Sequence, residues 1–119
     1  MRSLIVLIIG LSVLCLCLFG CGKSLKEKVA DTYEAKIEGD VIRMVLQDNG
    51  VVDEYVNDQP GIKYKWEILG KEVHIGDNYG GVTIARVNAD TSLTVIAVIN
   101  DGKREEVFRD NQITFKRIN

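Results

Sequence analysis

The chain opens on an uninterrupted apolar run. Residues 4–19 carry no charge, and only Gly10 and Ser12 interrupt a row of Leu, Ile, Val, Cys and Phe. Beyond Ala30 the pattern changes to alternation of apolar and polar positions, the mark of half-buried β-strands. Residues 32–37 set Tyr33, Ala35 and Ile37 against Thr32, Glu34 and Lys36. Residues 41–47 gather Ile42, Met44 and Leu46. Residues 51–56 place Val52 and Val56 on one side and Tyr55 on the other. Residues 62–69 alternate Tyr64, Trp66 and Ile68 with Lys63, Lys65 and Glu67. Further strands are predicted over 72–75, 82–87, 93–99 and 113–118, with a weaker, charged strand or turn over 103–108.

The breaks between these segments carry turn chemistry. Glu38-Gly39-Asp40 reads as a turn, residues 57–61 as a loop holding the single proline, Pro60, and residues 76–81 as a second loop. Asp48-Asn49-Gly50 and Asn100-Asp101-Gly102 are strong hairpin signals, because Asn-Gly and Asp-Gly accept the positive φ angles of tight hairpins. Eight or nine short strands with turn signals about every 8 to 12 residues predict an all-β fold. Tight turns join neighbours in sequence, so the expected architecture is a small antiparallel up-and-down barrel or half-barrel of about eight strands, after an N-terminal signal helix.

The apolar run follows the single basic residue Arg2 and is slightly short for a spanning helix, which needs roughly 20 residues. A short positive start, an apolar middle and a small residue before a cut mark an export signal. Leu18, Gly20 and Cys21 then complete a lipobox, with Phe19 at the position that is usually small. In these residues the chain resembles bacterial lipoprotein precursors. The resemblance implies cleavage after Gly20 and a diacylglyceryl thioether on Cys21, followed in many bacteria by N-acylation with a chain such as palmitate. The alternative for the same segment is an uncleaved signal anchor. The expected organisation is a signal peptide over 1–20, a lipidated tether over 21–30 and a lipocalin-like β domain over 31–119. In the tether Ser24 and Glu27 have the spacing of a capping box. Lys23, Lys26 and Lys28 are placed either to meet anionic headgroups or simply to be solvated. By the same resemblance, Gly22 is not the aspartate associated with inner-membrane retention. The expected location is therefore the bacterial cell envelope, lipid-anchored, on the outer membrane where one exists.

Composition narrows the rest. The three cysteines are Cys15, Cys17 and Cys21. Cleavage removes the first two and lipid occupies the third, leaving no disulfide and no cysteine-based metal site. Cleavage also takes one of the 15 basic residues and none of the 17 acidic ones, leaving a net charge of −3 on 99 residues. That length supports one core. Charge of both signs is scattered evenly, with no basic stripe of the kind nucleic acid requires.

Candidate chemistry is sparse. His74, with Asp77 three positions on, makes half a metal site at best, and a strand histidine facing solvent is the simpler reading. Asp53-Glu54 and Glu105-Glu106 are sequence neighbours, which point to opposite faces of a strand and cannot act as dyads. No nucleophile elbow, phosphate-binding loop or zinc-binding helix motif is present. The expectation is no enzyme, no cofactor and no metal. Tyr33, Tyr64, Trp66 and Phe115 share faces with aliphatic residues and either line a small apolar cavity or fill the core. The pattern of Gly39, Leu46, Asn49-Gly50, Lys65-Trp66-Glu67-Ile68, Ser92-Leu93-Thr94 and Thr114-Phe115-Lys116 is similar to small lipocalin-like lipoprotein domains. The functional expectation is a monomeric, membrane-anchored binding module for a small apolar ligand. The alternative is a structural or protein-interaction lipoprotein with a filled core.

Overall fold

A computed structural model describes residues 24–77 and 80–118. The export signal, Cys21 and the lipobox lie outside the described residues. Nine strands follow one short helix: α1 (Leu25–Val29), β1 (Thr32–Ile37), β2 (Asp40–Leu46), β3 (Val51–Val56), β4 (Gln59–Leu69), β5 (Glu72–Gly76), β6 (Val82–Val87), β7 (Leu93–Asn100), β8 (Lys103–Glu106) and β9 (Thr114–Arg117). All pairings are antiparallel, and each strand from β1 to β7 pairs with its successor. β9 pairs with both β7 and β1, which closes the sheet into an eight-staved up-and-down barrel.

The eighth stave is shared. β8 lies along the later half of β7 and β9 along its start. Val107 N–H donates to the Ile96 carbonyl and Val95 N–H donates to the Ile113 carbonyl, so residues 108–112 leave the wall and return to it. That excursion holds a single 3₁₀ turn (Arg109–Asn111) and the 80 % exposed Phe108.

Turn geometry sets the registers. Asn57 and Asp58 both take positive φ, 50° and 67°, as a two-residue type I′ hairpin requires. The expected loop over 57–61 is therefore a tight turn, and β4 begins at Gln59. Proline is tolerated at position 60 because β4 pairs with β5 only from Lys65 onward. Its upper half is an edge, where a missing N–H leaves no ladder bond unmade. The expected hairpin at Asp48-Asn49-Gly50 is present between β2 and β3. Gly50 N–H donates to the Gln47 carbonyl, and Gly50 alone takes a positive φ, 89°. This is a three-residue loop, a type I turn closed by a bulge glycine, rather than a two-residue hairpin.

The core fills the barrel from one end. Val29, Tyr33, Leu46, Val52, Trp66, Val73, Leu93 and Phe115 are buried in one cluster. Ser24 caps α1, its Oγ accepting from Glu27 N–H at 3.2 Å. The segment read as a tether thus ends in a helix that closes the lower mouth of the barrel. Lys26 Nζ stands 5.5 Å from the Trp66 ring centroid. The Tyr33 hydroxyl donates to the Val29 carbonyl at 2.5 Å and accepts from Arg117 Nη2 at 3.0 Å. Arg117 also meets the Lys28 carbonyl and Asp31, stapling β9 to the helix and β1. Among the described residues the closed sheet and its core cluster fall between Val29 and Arg117.

Candidate ligand-binding site

Eight strands enclose just enough width for side chains or one small ligand. Here the two ends are filled differently. The lower end holds Tyr33, Trp66 and the helix. Above it the inward positions are smaller, and a cavity of about 220 Å³ remains, open toward the end opposite α1. Its apolar wall includes Met44, Ile75, Ala85, Leu93, Val95 and Phe115. Its polar lining is Glu54, Tyr64, Asp77 and Thr83, beside the backbone of Gly81. Among the described residues no Lys, Arg or His lines it.

Each polar group is placed by local structure. Glu54 pairs with Met44 and shares the inner face of β3 with Val52 and Val56. A register shift follows Asp53, so that residues 61 and 62 of β4 bulge opposite Glu54. A Cβ on Gly61 would come within 3.2 Å of Glu54 Oε1 and 3.3 Å of its carbonyl oxygen, so the glycine makes room for the carboxylate. Asp77 leaves the top of β5, where its Oδ1 accepts from Gly81 N–H at 2.8 Å. Tyr64 stands between the two acids, its hydroxyl 3.5 Å from Glu54 Oε1.

The electrostatics follow from that placement. Burial pushes the Glu54 carboxyl above the ordinary glutamate range, opposed only by the Tyr64 hydrogen bond. Burial likewise raises the Tyr64 phenol, with further contributions from the charges of Glu54 and Asp77. The arrangement is an apolar chamber with an acidic rim.

Of the aromatic residues singled out from the sequence, Tyr64 and Phe115 line the cavity, while Tyr33 and Trp66 pack at the closed end. Trp66 Nε1 donates to the Gln47 carbonyl at 2.7 Å. Glu54 and Asp77 were not read as site residues. Alternation alone places Glu54 on the valine face of β3, and that was the available signal.

His74 is on the outer face, and its carboxylate neighbour is Glu72, 3.2 Å from Nε2, rather than Asp77. Arg104 binds Glu72 with both terminal nitrogens, at 3.1 and 3.0 Å, and Glu106 through Nε at 2.7 Å. These bonds from Arg104, then that from His74, hold the Glu72 carboxyl below its usual range. His74, Ile84, Ala97 and Glu106 form one row across β5 to β8. The Arg104 bridge spans this row, where Ile84 and Ala97 are fully buried. Its role is to seal an outer patch. Among the described residues no group of three or more His, Cys, Asp or Glu side chains is placed to hold a metal ion.

Comparison with known proteins adds no kinship: no family model, no curated protein and no solved structure matches the chain.

Proposed function

We propose that the protein is a lipid-anchored envelope lipoprotein whose barrel binds a small, largely apolar ligand. The observation that carries the binding part is the 220 Å³ chamber, apolar in its depth and polar only around its rim. A few polar groups at the rim of an apolar pocket are what orient a bound small molecule. The lipobox ending at Cys21 supports the anchor, and Gly22 after it supports the outer membrane as destination. Only two residues, Gly22 and Lys23, separate Cys21 from Ser24, a reach of about 11 Å at full extension. Lipid on Cys21 would therefore hold the helix-capped end of the barrel near the bilayer and turn the open end away from it. The ligand then arrives from the aqueous side.

Native mass spectrometry of residues 24–119 tests the binding reading. A gently purified domain is expected to carry a small-molecule adduct or to take up an apolar dye that binds in its cavity. A domain that does neither refutes it. Replacing Cys21 with serine is expected to leave an unlipidated precursor, and normal maturation of that variant would overturn the anchor.

A second reading, an interaction protein of the envelope, is supported by Phe108. An aromatic ring 80 % exposed on a short excursion from the wall suits a protein contact.

A further inference from the structure

We infer that the ligand is a short apolar molecule with a protonated amine head, seated with its carbon body in the depth of the barrel and its ammonium group against Glu54 and Tyr64. This rests on the binding reading above and adds the charge and size of the occupant.

Size comes from the chamber. At about 30 Å³ for each water-sized group, 220 Å³ accommodates roughly seven non-hydrogen atoms. That falls below the roughly 300–1,000 Å³ of pockets that hold drug-sized ligands. A long acyl chain or a polycyclic cofactor does not fit, whereas a six-carbon body with one head atom does.

Charge comes from the side chains that do and do not reach inside. Glu54 is a carboxylate on the inner face of a barrel strand, between Val52 and Val56. Its one side-chain hydrogen bond among the described residues is the long contact with Tyr64. The nearest basic side chains are turned outward by strand alternation. Arg43 pairs with Glu34 at 3.3 Å and Asp58 at 3.2 Å on the outside of β2. Lys63 reaches Asp53 at 3.8 Å on the outside of β3. Among the described residues no basic side chain lines the chamber, while Glu54 sits on its wall without an ion pair. An ammonium group bound at the rim supplies the missing opposite charge and donates to Glu54 and to the Tyr64 oxygen. A carboxylate or phosphate head would enter against both Glu54 and Asp77, with low-dielectric walls strengthening the repulsion. A neutral head satisfies the hydrogen bonds without the charge.

The test uses residues 24–119, which carry the described sheet and core. Isotope-labelled protein is titrated at pH 7 with hexylamine, hexan-1-ol and hexanoate, three probes of one chain length and different charge. Binding is read from amide shifts of Glu54, Tyr64, Thr83 and Phe115. Hexylamine is expected to bind at least tenfold more tightly than hexan-1-ol, and hexanoate to bind more weakly than either. In Glu54→Gln the ratio of amine to alcohol affinity is expected to fall about tenfold, with Asp77→Asn giving a smaller fall. Melting curves recorded alongside show whether each variant is folded. Equal binding of amine and alcohol, tighter binding of hexanoate, or an unchanged ratio in folded Glu54→Gln overturns the charge assignment while leaving the binding reading intact. Absence of any shift with all three probes overturns both.

Discussion

If the barrel is hollow where Ala85 faces it, a larger apolar side chain there should stabilise the fold. Ala85 is buried, pairs with Val73 and Val95, and lines the chamber. Ala85→Leu adds three carbon groups. At about 30 Å³ each they occupy about 90 Å³, under half of the 220 Å³ present. Each buried methylene contributes about 0.8 kcal/mol, or about 2.4 kcal/mol in all. Fixing a leucine rotamer costs about 0.5–1 kcal/mol. The net gain is about 1.5–2 kcal/mol, a rise in Tm of roughly 10 °C for a domain of this length. The same substitution at Ala97 provides the contrast. Ala97 is fully buried on the opposite face of the sheet, beside Ile84, and is not part of the chamber lining. Overpacking there should cost about 1–3 kcal/mol.

Urea unfolding of residues 24–119, followed by Trp66 fluorescence, measures both variants against the parent. Opposite signs at the two alanines mean that one side of the sheet faces space and the other faces packed atoms. Destabilisation of similar size at both positions would refute the reasoning. The barrel would then be filled, and the interaction reading centred on Phe108 would be favoured. Ala85→Leu also carries a functional consequence. Taking up part of the chamber should weaken hexylamine binding while raising stability, a combination that general unfolding cannot produce.

Three further outcomes are expected. Thr91 holds a φ of 70° at the position that Gly50 takes in the matching loop between β2 and β3. Relief of that left-handed conformation, offset by the flexibility of glycine when unfolded, should make Thr91→Gly more stable by about 0.5–1 kcal/mol in chemical denaturation; a loss of stability would contradict it. Tyr33→Phe removes the donor to the Val29 carbonyl and the acceptor for Arg117. It should cost about 1–3 kcal/mol and speed hydrogen exchange across α1, and unchanged exchange there would show that the staple is idle. Glu54 has a raised carboxyl pKa in the folded state, with Tyr64 and Asp77 as its charged or titratable neighbours in the chamber. Its contribution is therefore fully present below the ordinary glutamate range and is lost as pH rises through the raised value. Glu54→Gln should be more stable than the parent at neutral pH and lose that advantage in acid; a gap that widens in acid would reverse the assignment.

The alternation of polar and apolar residues made most of the fold legible, because a closed meander buries one side of every strand. β1, β3 and β6 begin and end where the pattern places them. The departures have local causes. Pro60-Gly61 reads as a break, but both residues sit on the unpaired upper edge of β4, where they are tolerated. Residues 103–108 read as a weaker, charged strand or turn and 113–118 as a strand, and their joint role as one stave depends on the registers that β7 gives to each. No property of residues 103–118 alone reveals it. The candidate site was half visible. Tyr64 and Phe115 followed from their faces, whereas Glu54 was read as one half of an acidic pair and not as the inward residue of β3. For His74 the period of two was decisive. Residues 72 and 74 share a face, and residue 77 lies beyond the end of β5, so Glu72 is the partner.

The chamber itself is a consequence of where bulk is placed along the barrel. The lower layers receive Tyr33, Leu46, Trp66 and Val29 from the helix, which together block that end. Above them come Ala35, Ala85 and Thr83, with Gly76 and Gly81 on the backbone near the open rim. A barrel of eight strands has nearly constant width, so a change from large to small side chains along its axis must leave space at the small end. A filled core would call for bulk at Ala85. The chain instead places a carboxylate at position 54 and makes room for it with Gly61. Burying a charge without a counter-ion opposes folding, and the same site packed with a leucine would be more stable. Retaining both the space and the half-buried carboxylate is costly for stability. That joint cost, more than the volume alone, favours a binding barrel over a merely structural one.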